Sequence, residues 1–395
     1  MKIVDINTFY YASDGGVKTF YDAKIEWFKK HPEHQYYLIY PNSKFDVEQV
    51  APNVHKIRVF GLKGLIGKDR RLMFDYWRVF KLVRMIKPDI LEIGDPMLTP
   101  IFACILQKTK FFNGILANFH HSDPLTTYLY PWAFQNRPNM FKKLVYRMTK
   151  SLYTFLNKQI PHHMTASRNL KKRLNSLGIQ NITVRPFGVP EIISTKTRIR
   201  QNNEKKLIFA GRLEHEKGIY QLKDIILRLL ERKDIHVSVM GKGTQENFFK
   251  SIDCPNYTYY GYVKERERVA EILYEHTIFL APGPYETFGI GVLEALSSGM
   301  IVIGPASGGT GEILDSMQSQ FIFKPQNSED FYQAILRALN SDLPSESLRS
   351  LKKADDFSTW DRAIDDMMMF YFRLASIRSN VPIEENNEKN PDFVS

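Results

Sequence analysis

Residues 282–299 read PGPYETFGIGVLEALSSG and follow a strand-like TIFLA. Two glutamates stand eight positions apart in this run, Glu286 in a loop and Glu294 within the helix that the run opens. The amides of Thr287, Phe288, Gly289 and Ile290 would form the start of that helix, where free N–H groups and the helix dipole hold a phosphate. A carboxylate at Glu294 can accept two hydrogen bonds from vicinal hydroxyls, as on a ribose, and Glu286 can do the same for a sugar. A second run, GRLEHEKG at 211–218, follows the strand-like LIFA and carries Arg212 and Lys217 on either side of a turn. Two cations aimed at one diphosphate can neutralise charge that a metal would otherwise carry. A charged turn on a solvated surface would look similar, but a place at the carboxyl end of a strand favours a binding role.

Weaker signals point to the same ends of strands. DGGV at 14–17 supplies Gly15 and Gly16 before a helix, where backbone can approach a ligand. FHHSDP at 119–124 closes another strand, and its two adjacent histidines can donate or accept in a cleft. Gly241 and Gly243, Gly261 and Val263, and the GGTGE run at 308–312 follow further strand-like segments. The sequence has no Asp-x-Asp, no GxxxxGK[ST], no His-Glu-x-x-His and no GxSxG. Metal is therefore not expected, and phosphate handling would fall to backbone amides, Arg212 and Lys217.

These runs need strands to carry them. Apolar segments at 2–7, 36–40, 56–60, 89–93, 114–119 and 163–166 alternate with helical ones such as 73–87 and 168–177. The rhythm resumes at 206–210, 236–240, 257–260, 277–281, 301–303 and 320–323, with helices expected at 218–232, 264–276, 290–298 and 328–340. Such alternation predicts two Rossmann-like, doubly wound parallel α/β sheets facing each other across a cleft. The polar stretch at 195–205, TKTRIRQNNEK, reads as the linker between them. The expected organisation is one α/β domain over 1–195, a second over 196–358, a further helix over 359–378 and a disordered tail over 379–395.

Composition fits this frame. Of 395 residues, 43% are hydrophobic and 25% charged, enough for two cored domains. Two cysteines, Cys104 and Cys254, form no disulfide framework and suit a reducing cytoplasm. The longest apolar stretch, 100–106, falls far short of the ~18–20 residues of a membrane span. The start, MKIVDINTFYY, reads as a strand and not as a signal peptide. Charge is uneven: residues 1–200 hold 32 basic and 14 acidic side chains, a balance of +18, whereas 201–395 stand at −7. A half this basic is expected to face something anionic.

GGV near the start, GRLxxEKG, and two glutamates separated by seven residues inside ETFGIGVLEALSSG together resemble family 4 glycosyltransferases of the GT-B fold. The likeness runs from residue 2 to about residue 371. The resemblance implies retaining, metal-independent transfer of a hexose from a nucleotide diphosphate-sugar, GDP-mannose or UDP-hexose, with no cofactor. It implies catalytic roles for Arg212 and Lys217 on the diphosphate, Glu286 on the donor sugar and His121 near that sugar. It further implies donor contacts from Gly15, Gly16, Gly211, Gly241, Thr287, Phe288, Gly289 and Ile290, with Val263 near the base and Glu294 on the ribose. EIGDP and HHSDPLTTY are similar to the lipid-glycosylating subgroup, which includes phosphatidylinositol mannosyltransferases and sulfoquinovosyl-lipid synthases. VRPFGVPE departs from the family at Phe187 and Pro190.

A lipid or lipid-linked acceptor gives the basic half a partner. Residues 139–158 read as an amphipathic helix with Phe141, Leu144, Met148, Leu152 and Phe155 on one face, and Lys142, Lys143, Arg147 and Lys150 mostly off it. Packing onto a sheet would account for such a stripe, but unopposed cations beside it suit an anionic membrane surface, met peripherally from the cytoplasm. Two other readings compete. A nucleotide-sugar 2-epimerase shares the two-domain architecture, and a nucleic-acid-binding protein would share the charge while lacking any recognised binding module.

Overall fold

The computed structural model describes residues 1–10, 15–63, 71–95, 98–109, 111–135, 137–195 and 197–379. Asp14 of the DGGV run, Pro96 of EIGDP, Lys196 of the expected linker and the tail from residue 380 lie outside the described residues.

Two sheets organise the chain. The first comprises β1 (Lys2–Ile6), β2 (Gln35–Asn42), β3 (Asp46–Ala51), β4 (Val54–Lys63), β5 (Arg71–Met73), β6 (Ile90–Ile93), β7 (Ile115–His120), β8 (His162–Thr165) and β9 (Ile182–Val184). Their order is β3-β4-β2-β1-β6-β7-β8-β9, with β5 also on β4. The second sheet comprises β10 (Lys206–Ala210), β11 (His236–Met240), β12 (Tyr257–Gly261), β13 (Ile278–Leu280), β14 (Ile301–Pro305) and β15 (Ile322–Phe323). It runs β12-β11-β10-β13-β14-β15 and is parallel throughout. Both sheets thus reverse direction of travel beside their first strand, at β1/β6 and at β10/β13. Crevices at such reversals, beyond the carboxyl ends of the strands, are where doubly wound folds bind ligands.

The apolar runs become strands because both faces of each sheet are covered by helices. ILANFH of β7 and ILEI of β6 are buried at every position. The hairpin strands β3 and β5, both antiparallel to β4, are additions that the alternation does not predict. DVEQVA of β3 is exposed or half-buried throughout, so no apolar run announces it.

The two domains touch. The Phe187 ring stands 5.2 Å from that of Phe288 and 5.5 Å from that of Trp360. A side chain at Gly16 would meet Ile290 Cδ1 at 3.1 Å. Helix Trp360–Ser379 lies on helix Gly16–Lys30, where Trp27 Nε1 donates to Asp365 at 2.6 Å and Lys30 pairs with Asp361. Helix Met140–Lys158, capped by Asn139, buries Tyr153, Leu156 and Asn157, while Phe141, Leu144, Met148, Leu152 and Phe155 stay outside. Its apolar stripe therefore does not serve to pack it on the sheet.

Candidate active site

Arg212 follows β10 by two residues, and Lys217 ends the short turn His215–Lys217. Gly218 then takes φ +72°, and a Cβ there would lie 2.4 Å from the Pro282 carbonyl oxygen. Only glycine lets this turn settle against the loop after β13, and that settling pairs Lys217 with Glu286. Arg212 Nη2 sits 2.8 Å from Glu216. Burial opposes its charge, yet Glu216, Tyr128 and Glu286 together hold its pKa above the usual arginine value.

The Glu286 loop is clamped from its other side. The Gly309 amide donates to the Glu286 carbonyl at 2.6 Å, and the Ser307 hydroxyl donates to the Pro284 carbonyl at 3.0 Å. A Cβ on Gly309 would lie 2.4 Å from Phe288 Cα. The glycines of GGTGE are thus the reason two loops can lie backbone to backbone. Gly289, at φ +98°, opens helix Ile290–Ser297, with Thr287 half-buried just ahead of it and Phe288 buried.

Glu294 lies inside that helix, only 8% exposed, and accepts from Arg266 Nη1 at 3.1 Å. Burial raises its pKa, and Arg266 works in the opposite direction. Arg266 also reaches Thr19 of the N-terminal domain at 3.4 Å. Behind these groups the neighbouring strand ends are knitted together. Gly211 donates to the Met240 carbonyl at 2.9 Å, and Gly241 to that of Gly261 at 2.7 Å. A Cβ on Gly241 would fall 1.8 Å from the Gly211 oxygen. Val263, after β12, is half-buried against the apolar core.

The facing crevice at β1/β6 holds a polar network that sequence reasoning missed. Asn7 Nδ2 donates to the Gly94 carbonyl at 3.0 Å and to the Tyr21 hydroxyl at 3.2 Å. His121 Nε2 lies 3.3 Å from the same hydroxyl. The imidazole packs against the rings of Phe119, at 4.7 Å, and Phe20, at 5.0 Å, which also touch each other. Burial, helped by Lys24, pushes its pKa down to about 3, so it is neutral at physiological pH. Gly15, at φ +144°, and Gly16 start the neighbouring helix.

The remaining members of FHHSDP have other work. His120 Nε2 lies 2.9 Å from His163 Nδ1 in a buried network that includes Tyr153. Asp123 accepts from the amides of Leu125 and Thr126 and pairs with Arg173. The structure therefore gathers Arg212, Lys217, Glu286, Thr287, Phe288, Gly289 and Ile290 at one switch point, with Glu294 held by Arg266. His121 and Gly16 lie on the opposing domain. Two cations, a carboxylate and a helix start in this arrangement can engage a phosphate group and a hydroxyl together. Among the described residues, no three His, Cys, Asp or Glu converge to hold a metal ion.

Sequence reasoning also missed Glu312 of GGTGE. Its carboxylate accepts from the backbone amides of Arg168 at 3.0 Å and Asn169 at 2.8 Å, in the other domain. It missed Lys24 as well, which is fully buried between Asp5 at 2.7 Å and Glu92 at 3.2 Å.

Residues 191–355 match the family described as Glycosyl transferases group 1. The chain is 23% identical to the sulfoquinovosyl transferase of Arabidopsis thaliana over 64% of this chain and 50% of that one. It is 22% identical to the GDP-mannose-dependent alpha-(1-6)-phosphatidylinositol dimannoside mannosyltransferase of Mycobacterium tuberculosis, over 93% and 95% respectively. The chain spans about half the length of the first curated relatives it matches. Among solved structures, sucrose-phosphate synthase from Thermosynechococcus elongatus superposes with a TM-score of 0.74 at 14% identity, over 95% of this chain and all of that one. The protein has the GT-B fold of two facing parallel-sheet domains, and its residues 191–355 are similar to the group 1 glycosyl transferases.

Proposed function

We propose that the protein is a retaining hexosyltransferase that moves a hexose from a nucleotide diphosphate-sugar, GDP-mannose or UDP-hexose, to a hydroxyl of a membrane lipid or lipid-linked glycan. The observation that carries the reading is the Lys217–Glu286 pair beside Arg212 at the β10/β13 switch point. Departure of the diphosphate leaves oxocarbenium character on the sugar, so stabilising the leaving group is the main electrostatic task. Arg212, Lys217 and the helix start at Phe288 and Gly289 meet it without a metal or cofactor. Glu286 takes a sugar hydroxyl, and Glu294 takes the ribose. The acceptor hydroxyl attacks from the face that the diphosphate leaves, and the donor phosphate accepts its proton.

The lipid acceptor is supported by the exposed stripe of helix Met140–Lys158 and its cations, which suit peripheral contact with the cytoplasmic face of an anionic membrane. Among the described residues no helix is long and apolar enough to cross a membrane. The relative from Mycobacterium tuberculosis is named for a phosphatidylinositol mannoside, which favours the same acceptor class. Incubation with a panel of nucleotide-sugars and a lipid extract, with and without chelator, tests the proposal. Free nucleotide diphosphate and a new glycolipid in both arms are expected. Conversion of a nucleotide-sugar to its epimer would overturn it.

A further inference from the structure

We infer that the membrane contact is made by a three-helix face of the N-terminal domain and extends well beyond helix Met140–Lys158. The inference rests on the lipid-acceptor reading. Helices Tyr76–Ile86 and Leu98–Gln107 share one layer on the first sheet, where the Tyr76 ring stands 5.4 Å from that of Phe102. The layer continues into helix Met140–Lys158 through Cys104 Sγ, which donates to the Leu156 carbonyl at 3.6 Å. Together the three helices contain eight Lys and Arg and no Asp or Glu. Asp75, just before the first of them, is occupied in capping it and pairing with Arg78.

The outward side of this layer is apolar. Trp77 is 66% exposed, Met85 72%, Ile105 62% and Met148 64%, with Phe111 and Phe155 also in the open. Cations ride on several of these rings. Lys81 Nζ lies 5.3 Å from the Trp77 ring, and the Arg84 guanidinium lies 4.6 Å from that of Phe111. Exposed apolar side chains, a Trp among them, with cations packed on their rings match the boundary between lipid headgroups and acyl chains. The cores of protein interfaces are depleted in lysine, which argues against a protein occupant. A second copy would set two faces of the same sign against each other. The occupant that complements both the charge and the apolar surface is an anionic bilayer.

The test is flotation of the full chain with vesicles of phosphatidylcholine alone or mixed with phosphatidylglycerol, at low and high salt. Wild type is expected to bind only the mixed vesicles, and only at low salt. Trp77→Ser/Met85→Ser and Met148→Ser/Phe155→Ser change exposed side chains, and unchanged circular dichroism would show that both fold. Each pair is expected to lower affinity for the mixed vesicles at least tenfold. Loss in the second pair with wild-type binding by the first would confine contact to one helix, overturning this inference and leaving the lipid-acceptor reading intact. Equal binding of wild type to both vesicle types, or binding to neither, would overturn both. A dimer in sedimentation velocity that either pair dissolves would assign the face to self-association instead.

Discussion

Lys217 and Glu286, 69 residues apart in sequence, form an ion pair at the carboxyl ends of adjacent strands. Each is about a quarter exposed, so the pair adds little to stability, on the order of 0–1 kcal/mol. The pair holds both groups at the crevice. Lys217→Ala and Glu286→Ala are each expected to lower kcat/KM by about 10²-fold or more, as for other groups that stabilise developing charge. Tm should fall by no more than about 4 °C. Steady-state kinetics and calorimetry on the two variants check this.

Glu294 is the opposite case, a buried carboxyl whose pKa burial raises despite Arg266. A raised carboxyl pKa means that folding favours the protonated form. That contribution is full below the unfolded glutamate value and is lost as pH rises through the folded one. Glu294→Gln is therefore expected to keep Tm at pH 8 equal to or above that of wild type. The same variant should lose the thermal shift given by GDP or UDP, because a charged hydrogen bond to ribose is worth about 1.5–3 kcal/mol. Melting curves with and without nucleotide separate the two effects.

A sharper pH signature comes from the buried cluster of Asp5, Lys24 and Glu92. Two carboxylates share one lysine, and the Tyr36 and Tyr371 hydroxyls donate to Asp5 and Glu92 respectively. Burial, then the charge on Glu92, pushes the Asp5 pKa up to about 7, with Lys24 pulling the other way. The stability this proton contributes is present below the ordinary aspartate range and is lost as pH rises through about 7. The fall is at most ~1.4 kcal/mol per pH unit between the ordinary aspartate value and about 7, and stability levels off above that point. Asp5→Asn should flatten it, while Lys24→Met, which strands two buried carboxylates, should cost about 3–5 kcal/mol. Urea unfolding between about pH 4 and pH 8 measures both.

Glu312 bridges the domains by capping the helix that starts at Arg168. Asn169 Nδ2 returns a hydrogen bond to the Gly308 carbonyl at 2.9 Å, next to the glycine that clamps the Glu286 loop. The contact between the domains and the anchor of that loop thus lie on neighbouring residues. Loss of charge-assisted bonds worth about 1.5–3 kcal/mol should shift Glu312→Ala toward an open form by roughly ten- to hundredfold. Solution scattering should show a larger radius of gyration, and the donor KM should rise.

How much of this was legible follows from what periodicity reports. Parallel strands buried on both faces read as apolar runs, so both sheets and the loops that end their strands could be read from residues alone. Glu286, Arg212 and Lys217 sit in those loops, and the structure brings the three together. Side-chain direction within a run was not legible. FHHSDP offers two histidines, and strand alternation in β7 sends His120 to His163 while His121 meets Tyr21. Lys24 was invisible because its partners lie in β1 and β6, although a lysine on the same helical face as Tyr21 and Phe28 was a usable signal. Phe187, a departure from the family pattern, is explained once its ring is seen wedged between Phe288 and Trp360. Arg266 and Glu312 act across distances that local pattern does not encode.

The central claim is that the Arg212, Lys217 and Glu286 crevice transfers a hexose from a nucleotide diphosphate-sugar. Its most direct test is release of nucleotide diphosphate from GDP-mannose and UDP-hexoses by wild type and by Lys217→Ala, in the presence of lipid extract, with the glycolipid product followed by mass spectrometry. Wild type should release diphosphate and form glycolipid in equal amounts, and the variant should lose at least about 99% of both. Equal turnover by the variant, or an epimerised nucleotide-sugar as the only product of wild type, would contradict the account.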